Sequence, residues 1–122
     1  MPDQDDPGSF LPLKPEDFQI LLALEDRERH GYAVLKEIER ATGGAVAPAA
    51  SPFYRKLRRM EELGLLAETD ARPSPELDDE RRRYYALTPL GRDVLTREAR
   101  RVVALAGHER ILRLARSAEA KG

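Results

Sequence analysis

The sequence contains no cysteine, only two histidines, and no apolar run approaching the roughly 20 residues of a membrane span. Each absence excludes something. Without cysteine there is no disulfide, no thiolate nucleophile and no cysteine-type zinc site, which fits a reducing compartment. His30 and His108 are too few to build a metal centre by themselves. His30 is read instead as capping or positioning a helix beside Gly31, and no metal or other cofactor is expected. The N-terminus is acidic and lacks an apolar core segment, so it does not read as a signal peptide. A cytoplasmic protein with no membrane partner is the expectation.

A catalytic reading finds equally little. Catalysis needs convergent groups, such as a nucleophile beside a base. Ser51 precedes Pro52 at a helix start, where capping explains it, and the carboxylates are scattered. Gly43-Gly44 reads as a helix stop rather than a phosphate-cradling loop. The chain is not expected to be an enzyme.

What is present is charge, and it is segregated. The chain has 122 residues, the length of about one domain, with 41% hydrophobic and 35% charged residues. That suffices for one small core under a heavily charged surface. The net charge of -1 is uninformative, because a phosphate backbone responds to the local patch and not to the sum. Asp3, Asp5 and Asp6 stand in a Pro/Gly/Asp-rich segment without a basic residue, so residues 1–11 read as a loose acidic tail. Residues 51–60 hold Arg55, Lys56, Arg58 and Arg59 and no acid.

Periodicity predicts a mostly α chain with a small β hairpin. A first helix should begin at Pro15, with Glu16 and Asp17 in its first turn. Phe18, Ile20, Leu21, Leu22 and Leu24 leave it little polar face. A second helix over residues 31–42 places Val34, Leu35, Ile38 and Ala41 on one side, with Tyr32 read as a core residue. Ser51 caps a third helix with Pro52 at its first position. Phe53, Leu57 and Met60 form its buried stripe, while Ser51, Tyr54, Arg55, Arg58 and Arg59 project onto an outer face. Gly64 ends it. Residues 65–69 and 82–87 read as two strands around a loop over residues 70–80. Thr88-Pro89 starts a last helix running continuously to about Ala115, roughly 40 Å long. Its stripe of Leu95, Ala99, Val102, Leu105, Ala106 and Leu112 is too long to bury against so small a domain, so a second copy is expected to cover it.

A basic helix followed by a basic hairpin is the layout of a winged helix-turn-helix. The third helix would enter the major groove of double-stranded DNA, with arginine suited to guanine and to phosphate oxygens. Arg81, Arg82 and Arg83 are the wing's candidates for contact with the DNA backbone, although strand alternation divides them between two faces. Arg83 and Tyr85 share one face and Arg82 and Tyr84 the other, and one pair should support the core or neighbouring acids. A winged-helix protein–protein adaptor without DNA binding is the alternative.

The ordered set His30-Gly31-Tyr32, Phe53-Tyr54-Arg55-Lys56-Leu57, Glu61-Glu62-Leu63-Gly64-Leu65, Arg82-Arg83-Tyr84-Tyr85 and Leu87-Thr88-Pro89-Leu90-Gly91 resembles the PadR family of bacterial transcriptional regulators across about residues 11–115. The resemblance implies a homodimeric winged helix-turn-helix repressor of the short kind with one C-terminal helix. It implies a domain over residues 12–88 and a dimerisation helix over residues 89–116. A pocket between subunits could take a small aromatic effector or none. Three departures stand out. Lys14 occupies the place where Ser or Thr often caps the first helix. The wing tip is acidic (Glu76, Asp78, Asp79, Glu80). The absence of tryptophan removes the stacking mode by which short members hold planar drugs.

Overall fold

The computed structural model describes residues 6–69 and 83–121, so the loop between the two hairpin strands lies outside it, as do Arg81 and Arg82. The elements run α1 (Pro15–Ala23), β1 (Arg29–His30), α2 (Gly31–Ala41), α3 (Ala50–Glu62), β2 (Leu66–Glu68), β3 (Tyr84–Leu87), α4 (Pro89–Ala106) and α5 (Glu109–Lys121). One core joins α1, α2, α3, the strands and the start of α4. Ile20, Val34, Phe53, Leu57 and Val94 are fully enclosed at its centre. The mostly α fold with a small antiparallel sheet is as the sequence predicts.

The helix-turn-helix is set by its glycines and one threonine. Gly43 and Gly44 take φ of 61° and 86°, a left-handed region in which a Cβ is disfavoured. The Thr42 hydroxyl donates to the Ile38 carbonyl at 2.8 Å and accepts from the Val46 amide at 3.1 Å, closing the turn into α3. At the head of α2, the His30 imidazole Nδ1 accepts from the Ala33 amide at 3.0 Å. His30 is thus the helix cap that the sequence suggested.

The sheet has one more strand than expected. β3 lies in the middle, antiparallel to β2 on one side and to β1 on the other, with Arg29 opposite Tyr85 and His30 opposite Tyr84. A two-residue strand carries no readable period, and only its pairing identifies it.

Four further expectations change. Residues 7–10 are not a loose tail: Pro7–Phe10 forms a 3-10 turn that places Phe10 in the core. Leu22 and Tyr32 are exposed, because the opposite faces of their helices meet the core. Ser51 does not cap α3; the helix starts two residues earlier than expected, at Ala50, with Ala49 as its uncapped N-cap. The last helix is interrupted at Gly107-His108, so α4 and α5 are separate helices. Thr88 does cap α4, accepting from the Gly91 amide at 3.0 Å.

Candidate nucleic-acid interface

The third helix has two well-separated sides. Phe53, Tyr54, Leu57 and Met60 are buried. On the opposite arc Ser51, Arg55 and Arg59 are exposed, and Arg58 is half-buried at its edge. Tyr54 is therefore a correction to the sequence reading. Its position lies beside the Phe53–Leu57 stripe, and its ring meets Phe53 edge-on at 5.3 Å. It braces the helix from within and is not on the outer face.

The basic residues of α3 also divide. Lys56, counted with the others by composition, turns toward α1, where its ammonium lies 2.7 Å from Asp17. Arg59 points outward, with Glu62 at 3.7 Å. Such an exposed pair is screened and holds the guanidinium weakly. Arg55 and Ser51 extend the same surface toward the helix start.

The root of the wing meets the back of α3 at Tyr85, which is 1% exposed. Burial pushes its hydroxyl pKa up, Glu61 and Glu68 push it further, and Arg83 and Arg58 oppose them. This group joins α3, β2 and β3 in one charged cluster around a buried phenol. Arg83 stands 3.8 Å from Glu68 on the neighbouring strand. Arg83 and Tyr85 thus form the supporting pair that strand alternation anticipated. Alternation alone leaves open which of the two pairs turns inward, and the burial of Tyr85 decides it.

At the C-terminal end, Leu95 is buried in the domain core and is unavailable to a partner. The core needs the first turns of α4, so the stripe is shared between two tasks. Ala99 and Val102 are half-buried, and Leu105, Ala106 and Leu112 are exposed. Val103, Ile111 and Leu114 add to this uncovered apolar surface.

Among the described residues no group of three or more His, Asp or Glu side chains could hold a metal ion. No described helix is long and apolar enough to cross a membrane.

Residues 20–97 match the family model described as "Transcriptional regulator PadR-like family". An uncharacterized 37.1 kDa protein in transposon TN4556 of Streptomyces fradiae is 38% identical over 88 residues, covering 72% of this chain. The match spans only 23% of that protein's length. Among solved structures, the complex structure of hsRosR-S4 is similar with a TM-score of 0.64 at 21% identity, over 98% of this chain and 95% of that one. A transcriptional regulator from Clostridium thermocellum gives 0.60 at 22% identity, over 73% of this chain and 81% of that one.

Proposed function

The chain belongs to the PadR-like family of transcriptional regulators, and from that premise we propose that it is a sequence-specific DNA-binding repressor acting as a homodimer. A regulator of this family is not an enzyme. The observation that carries the DNA reading is the exposed arc of α3, where Ser51, Arg55 and Arg59 lie together within residues 51–60, a segment that holds no acid. Its chemistry suits phosphate oxygens and guanine edges. The buried side of the same helix is closely packed, so the arc sits on a rigid support. Arg81 and Arg82 are the wing's candidates for backbone contact, while Arg83, held beside Glu68, supports the strand.

The dimer reading is supported by the apolar surface of α4 and α5. Val103 and Leu114 are 72% and 69% exposed, an arrangement that favours burial against a second copy. Two α3 helices held by such a dimer would read half-sites about one DNA turn apart, roughly 34 Å. A small effector that favours one dimer geometry would release the operator by shifting the population.

Titration of a genomic operator fragment against salt tests the DNA reading. Log affinity should fall linearly with log salt, and Arg55→Ala should reduce the slope by about one. A slope near zero, with a salt-insensitive protein partner, would instead favour an adaptor.

A further inference from the structure

A cleft of about 350 Å³ lies behind α3, between that helix and the N-terminal arm. Its floor is apolar: Phe10, Met60, Leu63 and Leu65. Its rim is charged and unbalanced, with the cations Lys14, Lys56 and Arg59 against the single carboxylate of Asp17. That carboxylate is already engaged by Lys56 at 2.7 Å. The volume falls at the lower end of the range for small-molecule sites, which pair apolar walls with a few placed polar groups.

We propose that this cleft binds a small amphiphilic anion, a straight-chain alkyl carboxylate, and that its occupancy weakens DNA binding by α3. An apolar floor rewards a hydrocarbon body, and the excess of positive charge at the rim rewards one anionic head. A bare phosphate would satisfy the rim and leave the floor wet, and a cationic amphiphile would meet the rim's like charge. The carboxylate head competes with Asp17 for Lys56 and draws Arg59 away from the outer face. Three lining residues, Lys56, Arg59 and Met60, belong to α3 itself, so the occupant acts on that helix directly and not through the subunit interface. The binding step stands on the cleft alone; its effect on DNA rests on the DNA-binding reading above.

Calorimetry of the full chain with decanoate tests the site. Decanoate should bind once per chain. Octanoate should bind roughly 15-fold more weakly, since each methylene contributes about fourfold, or about 0.8 kcal/mol. Decan-1-ol and decyltrimethylammonium should bind far more weakly than decanoate. Lys14→Glu, on an exposed side chain, should weaken decanoate several-fold with the melting temperature unchanged. Leu63→Trp, which fills the cleft from a half-exposed position, should block it. Failure of decanoate to bind at millimolar concentration overturns the proposal. Equal binding of the cationic amphiphile, or affinity unchanged in both variants, overturns it too.

The coupling has its own readout. If decanoate lowers DNA affinity by some factor, saturating DNA must lower decanoate affinity by the same factor. Decanoate binding with undiminished DNA affinity overturns the coupling and leaves the site. If the chain binds no DNA at all, the functional reading fails, while calorimetry still decides the site.

Discussion

The Glu98 carboxylate on α4 accepts a hydrogen bond from the Leu13 backbone amide at 2.7 Å, across 85 residues of sequence. Glu98 is only 1% exposed and is also held by the Arg101 guanidinium one turn further along the helix. A buried carboxylate is costly unless its oxygens are paired, and here both are. The contact fastens the N-terminal arm, and with it Phe10, to the helix that leaves the domain. It therefore fixes the direction in which α4 carries the uncovered apolar stripe away from α3.

Removing this carboxylate should loosen the arm. Glu98→Ala leaves the part-buried Leu13 amide without its acceptor, which should cost about 1 kcal/mol, the low end of the range for an orphaned donor. Glu98→Gln keeps an acceptor and should cost less. Denaturant melts give the loss, and hydrogen exchange at the Leu13 amide gives its place: exchange there should become fast in Glu98→Ala.

The same group should appear in the pH dependence of stability. Arg101, and after it the Leu13 amide, hold the Glu98 carboxyl below the ordinary glutamate range, against the effect of burial. Because the folded-state pKa is depressed, its stabilising contribution is complete above the unfolded value of about 4.3 and is lost as pH falls through the folded value. Melting temperatures from pH 7 to 3 should therefore show the advantage of the native protein over Glu98→Gln shrinking below about pH 4. Glu37, held low by Arg40, is common to both proteins and cancels in the comparison.

A second tight point lies where α4 begins. A Cβ on Gly91 would stand 2.0 Å from the Leu65 carbonyl oxygen and 3.0 Å from its carbon. That oxygen also accepts from the Thr88 amide at 3.1 Å, so backbone lies on both sides and neither can yield cheaply. Gly91→Ala should destabilise the protein by about 3 kcal/mol, the upper end of ordinary overpacking. A melt of this single variant checks it; a melting temperature like that of the native chain would mean that α4 does not approach the Leu65 backbone this closely.

Much of this fold is legible in the sequence where a period repeats. Val34, Leu35 and Ile38 identify α2, and Phe53, Leu57 and Met60 identify α3, because a helical stripe returns several times in one element. Arg29 and His30 give no such signal: as a strand they exist only through their pairing with β3. The arm was obscured by its prolines and acids, since nothing local says that one phenylalanine reaches the core. Tyr54 failed for a different reason. A tyrosine suits a half-wet boundary, and the helical angle places it between the two faces, so packing alone decides. Gly107 could have suggested the break before α5, but an apolar stripe continuing across it argued for one helix.

The oligomer prediction follows from the exposed part of that stripe. Leu105 and Leu112 are solvent-facing in the single chain, so charging them removes nothing from the domain core. The native chain should sediment at twice 13.8 kDa. Leu105→Asp with Leu112→Asp should sediment as a monomer, with its domain still melting cooperatively. Loss of DNA affinity in this variant at matched salt would follow from uncoupling the two half-sites.

Neighbouring positions on α3 should respond in opposite ways. Tyr54 and Arg55 are adjacent in sequence but about 100° apart around the helix. Tyr54 packs against Phe53 inside the domain, and Arg55 stands in solvent on the outer arc. Tyr54→Ala should cost about 3 kcal/mol of stability, as expected for truncating a buried aromatic ring. Its DNA affinity should stay near native below the melting transition. Arg55→Ala should melt within about 0.5 kcal/mol of native, as surface substitutions do. It should nevertheless bind DNA more weakly, by about 1–3 kcal/mol if the guanidinium reads a base edge. Melting curves and DNA titrations of both variants at one salt concentration separate the roles. The reverse pattern, with Arg55 deciding stability and Tyr54 deciding affinity, would mean that α3 presents its other face to the duplex.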